Sequence, residues 1–121
     1  MDPVRAIILF GHGSRDPLWR LPMDAVAQRI RSQRPGTPVR CAFLELEQPD
    51  LAAAVADLAS AGTNLVTVVP MFLGTGRHAR EDLPFLIEAV RSAHPAIQLI
   101  LQPAVGEDSR LLDLLAKIAM A

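Results

Sequence analysis

The sequence predicts an α/β fold, a three-layer sandwich with a four-stranded parallel sheet between helices in the order βαβαβαβα. Three observations lead there. Four short apolar runs, most of them closed by glycine or proline, are spread along the chain. Between them, apolar residues recur at i, i+3, i+4 and i+7, the spacing of helices with one buried face. The runs themselves are largely unbroken, which fits strands covered on both faces and joined by right-handed crossovers.

Each element has its own local warrant. Ile7–Phe10 is a continuous apolar run closed by Gly11. Asp16-Pro17 offers a cap and a first-turn proline, but Pro22 is expected to delay the first regular helix to about Met23–Arg34, with Met23, Val26, Ala27 and Ile30 on one face. The second strand, Val39–Leu44, places Val39, Cys41 and Phe43 on one side at period two. The next helix runs from Pro49, with Leu51, Val55 and Leu58 inward, to Gly62 as the residue after its C-cap. Leu65–Val69 is β-branched and ends at Pro70. Leu83, Leu86, Ile87 and Val90 define a third helix stopped by His94-Pro95. Ile97–Leu101 is the fourth strand, and Asp108 or Ser109 caps a fourth helix expected to bury Leu111, Leu112, Leu115 and Ile118.

The 121 residues are one domain's worth of chain, read as a single domain over 1–121. Half the residues are hydrophobic and 21% are charged, which excludes a disordered chain. A net charge of −1 gives no overall electrostatic footprint for nucleic acid or an anionic membrane. Aromatic residues make up only 4%, so a base-stacking platform is not expected. The lone Cys41 can form neither an internal disulfide nor a cysteine-rich zinc site, and mid-strand on an apolar face it reads as a core residue. The first apolar run is too short for a signal peptide, and the longest one, Leu65–Leu73, is too short for a membrane span. These features point to a soluble, cytoplasmic protein.

Ligands of such sheets bind beyond the carboxyl ends of the strands. Gly11-His12-Gly13-Ser14-Arg15 follows the first strand, Glu45 follows the second, and Gly74-Thr75-Gly76-Arg77-His78-Ala79-Arg80 follows the third. His12, Glu45 and His78 are spaced 33 residues apart, one βα unit each, which directs two imidazoles and a carboxylate to one mouth. Two neutral imidazoles can hold a borderline divalent metal such as Fe²⁺, Co²⁺ or Ni²⁺. With so few ligands the site is open, which suits delivery of the metal better than storage. Arg15, Arg77 and Arg80 flank the histidines and make the mouth locally cationic, as a polycarboxylate ligand requires. Glu47 reads as an ordinary salt-bridge partner, and His94 as a structural residue at a helix C-terminus. No nucleophile elbow, Walker A sequence or dinucleotide fingerprint is present.

Gly11–Arg15, Phe43-Leu44-Glu45 with Pro49, and Val69–Leu73 followed by Gly76, His78 and Asp82-Leu83-Pro84 together resemble the small sirohydrochlorin chelatases. These are the short form of the cobaltochelatase family, related to sirohydrochlorin ferrochelatases and nickelochelatases. The resemblance spans essentially the whole chain and implies insertion of a divalent metal into sirohydrochlorin, Co²⁺ first and Fe²⁺ next, for cobalamin or sirohaem biosynthesis. It matches His12 and His78 to the metal-binding and catalytic histidines and Glu45 to the active-site acid. It further implies macrocycle contacts from Ser14, Arg15, Phe72, Leu73, Gly76, Arg77 and Arg80. The metal is then a substrate, no cofactor is tightly bound, and a homodimer closes the cleft that the two-lobed relatives enclose within one chain. Trp19 and Pro22 depart from the family's usual polar, uninterrupted helix start, and the absence of a histidine-rich loop takes weight from nickel. Two readings from other classes stay open: a metal or tetrapyrrole carrier without turnover, and a flavodoxin-like module binding phosphate or nucleotide.

Overall fold

β1 (Arg5–Gly11) is the inner strand around which the sheet forms in the computed structural model, which describes residues 2–121. It pairs in parallel with β2 (Val39–Phe43) on one side and β3 (Leu65–Pro70) on the other, and β4 (Gln98–Leu101) adds to β3, giving the order β2-β1-β3-β4. Ile8, Leu9 and Phe10 on β1 are at most 2% exposed, the burial that its unbroken apolar run requires.

The helices begin and end for local reasons. α1 (Leu21–Gln33) starts two residues earlier than expected, because Pro22 sits in its first turn, where a missing N–H costs no hydrogen bond. At the start of α2 (Leu51–Ser60), the Asp50 carboxylate caps the helix by accepting from the Ala53 N–H at 2.8 Å. Gly62 follows its C-cap with φ of 91°, the left-handed conformation that a residue without Cβ adopts freely. α3 (Arg77–Ala93) has Gly76 as its N-cap residue and carries Pro84 inside the helix, where the Arg80 carbonyl loses its backbone donor.

Alternation along the strands divides the core. Ala6, Ile8, Phe10, Val66, Val68 and Leu99 face α2 and α3, where Leu51, Val55, Leu58, Ile87 and Val90 complete the larger cluster. Leu9, Val39, Cys41 and Phe43 face α1 and pack on Met23 and Ala27. Val39, Cys41 and Phe43 thus share a face as their spacing predicts. The fourth helix departs from expectation. α4 (Ser109–Met120) buries none of its residues, and Leu112, Leu115 and Ile118 are exposed while Leu111 is half-buried. The periodicity correctly marked an amphipathic helix, but a 3₁₀ turn (Val105–Glu107) stands between β4 and it, and Leu111 and Leu114 line an open pocket with Met71 and Val105 rather than entering the core. No helix among the described residues is long and apolar enough to cross a membrane.

Burial, and next Asp24, push the Cys41 thiol above its ordinary pKa of about 9.0, so at pH 8 little thiolate is present to react. Iodoacetamide at that pH is therefore expected to leave the native protein unmodified while labelling it fully in 6–8 M urea (about the range that unfolds a small domain), as read by intact mass. Rapid native labelling would show that Cys41 is not a core residue.

Candidate active site

The connection through α1 leaves β1 for β2, and the connection through α3 leaves β3 for β4 in the opposite direction. The two helices cover opposite faces. The loops after β1 and β3 therefore diverge, which is the condition for a crevice at the carboxyl edge of a parallel sheet. All three segments singled out from the sequence lie at this edge.

His12 and Glu45 meet there. His12 Nε2 and Glu45 Oε1 are 3.0 Å apart, with both side chains about half exposed. Backbone pairing sets up the contact. The β1–β2 ladder continues past the strand ends, Leu44 N donating to Gly11 O at 2.9 Å and Glu45 N to His12 O at 3.0 Å. Gly13, with φ of 100°, leaves no room for a side chain: a Cβ there would stand 1.8 Å from the Glu45 carbonyl oxygen. Beyond Glu45 the chain reverses tightly, Glu47 N donating to Glu45 O at 2.8 Å across Leu46, whose φ is 67°. Such an i to i+2 turn with positive φ is strained, and here it ends the strand so that the Glu45 carboxylate is presented at the sheet edge.

Glu47, read from sequence as an ordinary ion pair, is half of a loop clamp. Its Oε1 accepts from the Ser14 N–H at 3.0 Å, and its Oε2 lies 3.5 Å from Arg20 Nη1. Arg20 also binds both oxygens of Asp24 at 3.0–3.2 Å and stacks 4.7 Å over the Phe43 ring. The hydrogen bond to Asp24 raises the Arg20 pKa above its already high ordinary value, so this anchor stays charged. Ser14, expected to touch ligand, uses its hydroxyl to accept from Asp16 N at 3.0 Å within the loop. Trp19 packs against Phe43 with ring centroids 6.3 Å apart. The identity of Glu47 as an acid two residues after Glu45 was visible; its partner, a backbone N–H 33 residues away, was not.

His78 stands exposed as the second residue of α3, the helix that follows β3, the strand beside β1. Among the described residues no group of three or more His, Cys, Asp or Glu is close enough to hold a metal together. The expected trio is thus a contacting pair, His12–Glu45, with the third residue apart from it in the first turn of α3. Arg15 is exposed, and Arg77 is paired with Glu81 at 3.1 Å on the helix surface, which offsets part of the expected positive charge. Phe72, expected at the ligand, is buried and packs edge-on to Phe10 with centroids 6.2 Å apart, while Leu73 beside it is exposed. Gly76 serves as the cap of α3. A cleft of about 430 Å³ opens between the start of α3 and the end of β4; Phe72, Leu73 and Arg80 line one part of it, and Gln102, Pro103 and Glu107 another. Sequence reasoning missed this last wall. The signal it carried was Gly106, whose N–H donates to Phe72 O at 2.9 Å and whose bare Cα approaches the Leu73 carbonyl so closely that a Cβ would stand 1.7 Å from it.

Residues 6–119 match the CbiX family. The chain belongs to that family. Its CbiX relatives include the sirohydrochlorin cobaltochelatase of Methanopyrus kandleri, 34% identical over 68% of this chain and 57% of that protein. The sirohydrochlorin cobaltochelatase of Saccharolobus islandicus is 28% identical over 92% of this chain and 90% of its own. Among solved structures, a cobalamin (vitamin B12) biosynthesis CbiX protein from Marinobacter aquaeolei superposes with a TM-score of 0.83 at 30% identity, covering 96% of this chain and 94% of its own. The sirohydrochlorin chelatase SirB from Bacillus subtilis subspecies spizizenii, in complex with cobalt, superposes with a TM-score of 0.75 at 28% identity, covering 90% of this chain but 47% of its own. This chain therefore spans little more than half the Methanopyrus enzyme and under half of SirB.

Two substitutions test the CbiX site's construction. Gly13→Ala forces the His12 and Glu45 segments apart and is expected to cost more than about 2 kcal/mol in urea unfolding, because strain at positive φ adds to the clash. Glu47→Gln keeps the shape but loses the charge opposite Arg20; it should cost about 1–3 kcal/mol and speed amide exchange at Ser14. Unchanged exchange at Ser14 would count against the clamp.

Proposed function

We propose that this chain is a sirohydrochlorin chelatase that inserts a divalent metal, Co²⁺ first and Fe²⁺ next, into the tetrapyrrole. The observation that carries the reading is the His12–Glu45 pair, 3.0 Å apart and open to solvent at the carboxyl edge of a CbiX-family sheet. Relatives named as sirohydrochlorin cobaltochelatases and the neighbour solved with cobalt support the substrate and the metal. Another neighbour, SirB solved with Fe³⁺, supports iron as the second choice.

Insertion exchanges two pyrrole N–H protons for one M²⁺, so the site needs a metal-holding face and a base. His12 and His78 hold the incoming metal on one side of the macrocycle, and Glu45 takes the protons. A positioned base of this kind contributes about 10²–10⁴-fold. When Glu45 accepts a hydrogen bond from Nε2–H, the lone pair of His12 lies on Nδ1, which makes the Glu45 contact a selector of the ligating nitrogen. Arg80, Arg15 and Arg77 meet carboxylates of the substrate, with Arg80 at the cleft and Leu73 offering apolar surface beside it. A single lobe provides one wall only, and a second copy of the chain closes over the macrocycle.

Anaerobic absorbance assays of sirohydrochlorin with Co²⁺, Fe²⁺ and Ni²⁺ test this reading. His12→Ala and His78→Ala are each expected to lower the rate about 10²-fold or more, in line with the loss of a positioned group, whereas His94→Ala leaves it unchanged. Insertion by wild type no faster than the spontaneous reaction, with metal still bound, would make the protein a carrier. Full activity in both His12→Ala and His78→Ala would remove the site assignment.

A further inference from the structure

Two carboxylates stand two residues apart beyond the end of β2 and meet opposite surroundings. The Glu45 side chain is 55% exposed, whereas that of Glu47 is 13% exposed. The chain reverses between them, Glu47 N donating to Glu45 O at 2.8 Å, so that one acid reaches His12 and the other reaches Ser14. Both oxygens of Glu47 are engaged, Oε1 by the Ser14 N–H at 3.0 Å and Oε2 by Arg20 at 3.5 Å. Glu45 is open to a substrate proton; Glu47 is committed to the protein.

The two contacts join residues 33 apart, His12 to Glu45 and Ser14 to Glu47. Between them lie Gly13, with φ of 100°, and Leu46, with φ of 67°. A leucine holds that conformation only where its surroundings impose it. Among the described residues, Ser14 N–H to Glu47 is the one hydrogen bond between residues 13–16 and residues 46–48. The tie is also well anchored. Arg20 grips both oxygens of Asp24 at 3.0–3.2 Å and lies 4.7 Å over the ring of Phe43, which is fully buried. Without Glu47 both segments are free to relax, and the half-exposed side chains of His12 and Glu45 have no packing of their own to keep them together.

We propose that Glu47 is a positioning residue for metal insertion: by tying the Ser14 N–H to the segment that follows Glu45, it holds His12 at hydrogen-bonding distance from Glu45. This rests on the chelatase reading above and adds a residue that touches neither metal nor macrocycle. A displacement of about 1 Å at reacting groups costs on the order of 10²-fold in rate, so a tie that fixes the spacing of ligand and base acts on turnover. It does so through His12 and Glu45 alone, which separates positioning from a contribution to stability.

Steady-state insertion of Co²⁺ into sirohydrochlorin by the full chain, at a temperature where circular dichroism shows every variant folded, tests the role. Glu47→Ala is expected to lower kcat about 10²-fold with KM unchanged. Glu47→Gln keeps an acceptor for the Ser14 N–H and should recover most of that rate. Added to Glu45→Gln, Glu47→Ala should cost little more, because the pair it aligns is already broken. Two-bond ¹H–¹⁵N spectra resolve the rings of the chain's three histidines; in Glu47→Ala the His12 signals should move as they do in Glu45→Gln, with those of His78 and His94 in place. If Glu47→Ala does not fold, Arg20→Lys, which gives up the two-oxygen grip on Asp24, stands in, with the same changes in smaller degree. An equal rate loss with and without Glu45 makes Glu47 merely structural, and a rise in KM alone makes it a substrate contact. Either result, or an unmoved His12 ring, overturns the positioning role and leaves the chelatase reading intact. Wild type no faster than the spontaneous reaction overturns both.

Discussion

The parallel pairing of β1 with β2 on one side and β3 on the other is the constraint from which the candidate site follows. It buries an apolar strand between two neighbours, and it sets the ends of β1 and β2 level, Gly11 opposite Phe43. Because the ladder runs on past that point through Leu44 and Glu45, the first residue of one loop and the second of the other are delivered to hydrogen-bonding distance. The His12–Glu45 contact is in this sense an extension of the sheet. A surface ion pair between flexible side chains contributes little to stability, and this one does not need to, since its geometry is imposed from the backbone.

Strain and clamping are concentrated at the same place. Positive φ at Gly13 and Leu46, a backbone approach that admits no Cβ, and a half-buried carboxylate holding a loop amide all lie within a few residues of the pair. Segments held this way are stable only when the surroundings over-determine them, and the Glu47–Arg20–Asp24 chain, seated on Phe43, is that support. It connects the core beneath α1 to the loop that carries His12. The opposite wall, formed by Gly106 against Leu73, is fastened by the same device of a glycine admitted close to a carbonyl.

The chain's two faces are unequal for a topological reason. Two crossovers, through α2 and α3, cover one side of the sheet, and only α1 covers the other. A fourth helix would balance them if it turned back after β4. The 3₁₀ turn instead spends that connection on bracing the β3 loop, and α4 leaves with its leucines uncovered. One segment cannot both close the cleft and fold back over the sheet.

The sequence by itself marked the four strands and the four α-helices between and after them, and it directed attention to the carboxyl edge of the sheet. Apolar runs bounded by Gly11, Pro70 and Pro103 marked the strands, helical spacing marked the apolar faces, and the glycine-flanked histidines singled out segments at that edge, because each of these signals is local. Three things depended on tertiary structure. Pro22 fell inside α1 rather than before it, since only the entry direction of the chain decides which turn comes first. His12 contacts Glu45 while His78 stays apart in the first turn of α3, a result of strand order and register that spacing of 33 residues cannot distinguish. Whether the leucines of α4 are covered, and by which body, was also beyond the pattern, because periodicity records that a face is apolar and contains nothing about the direction in which the preceding turn sends it.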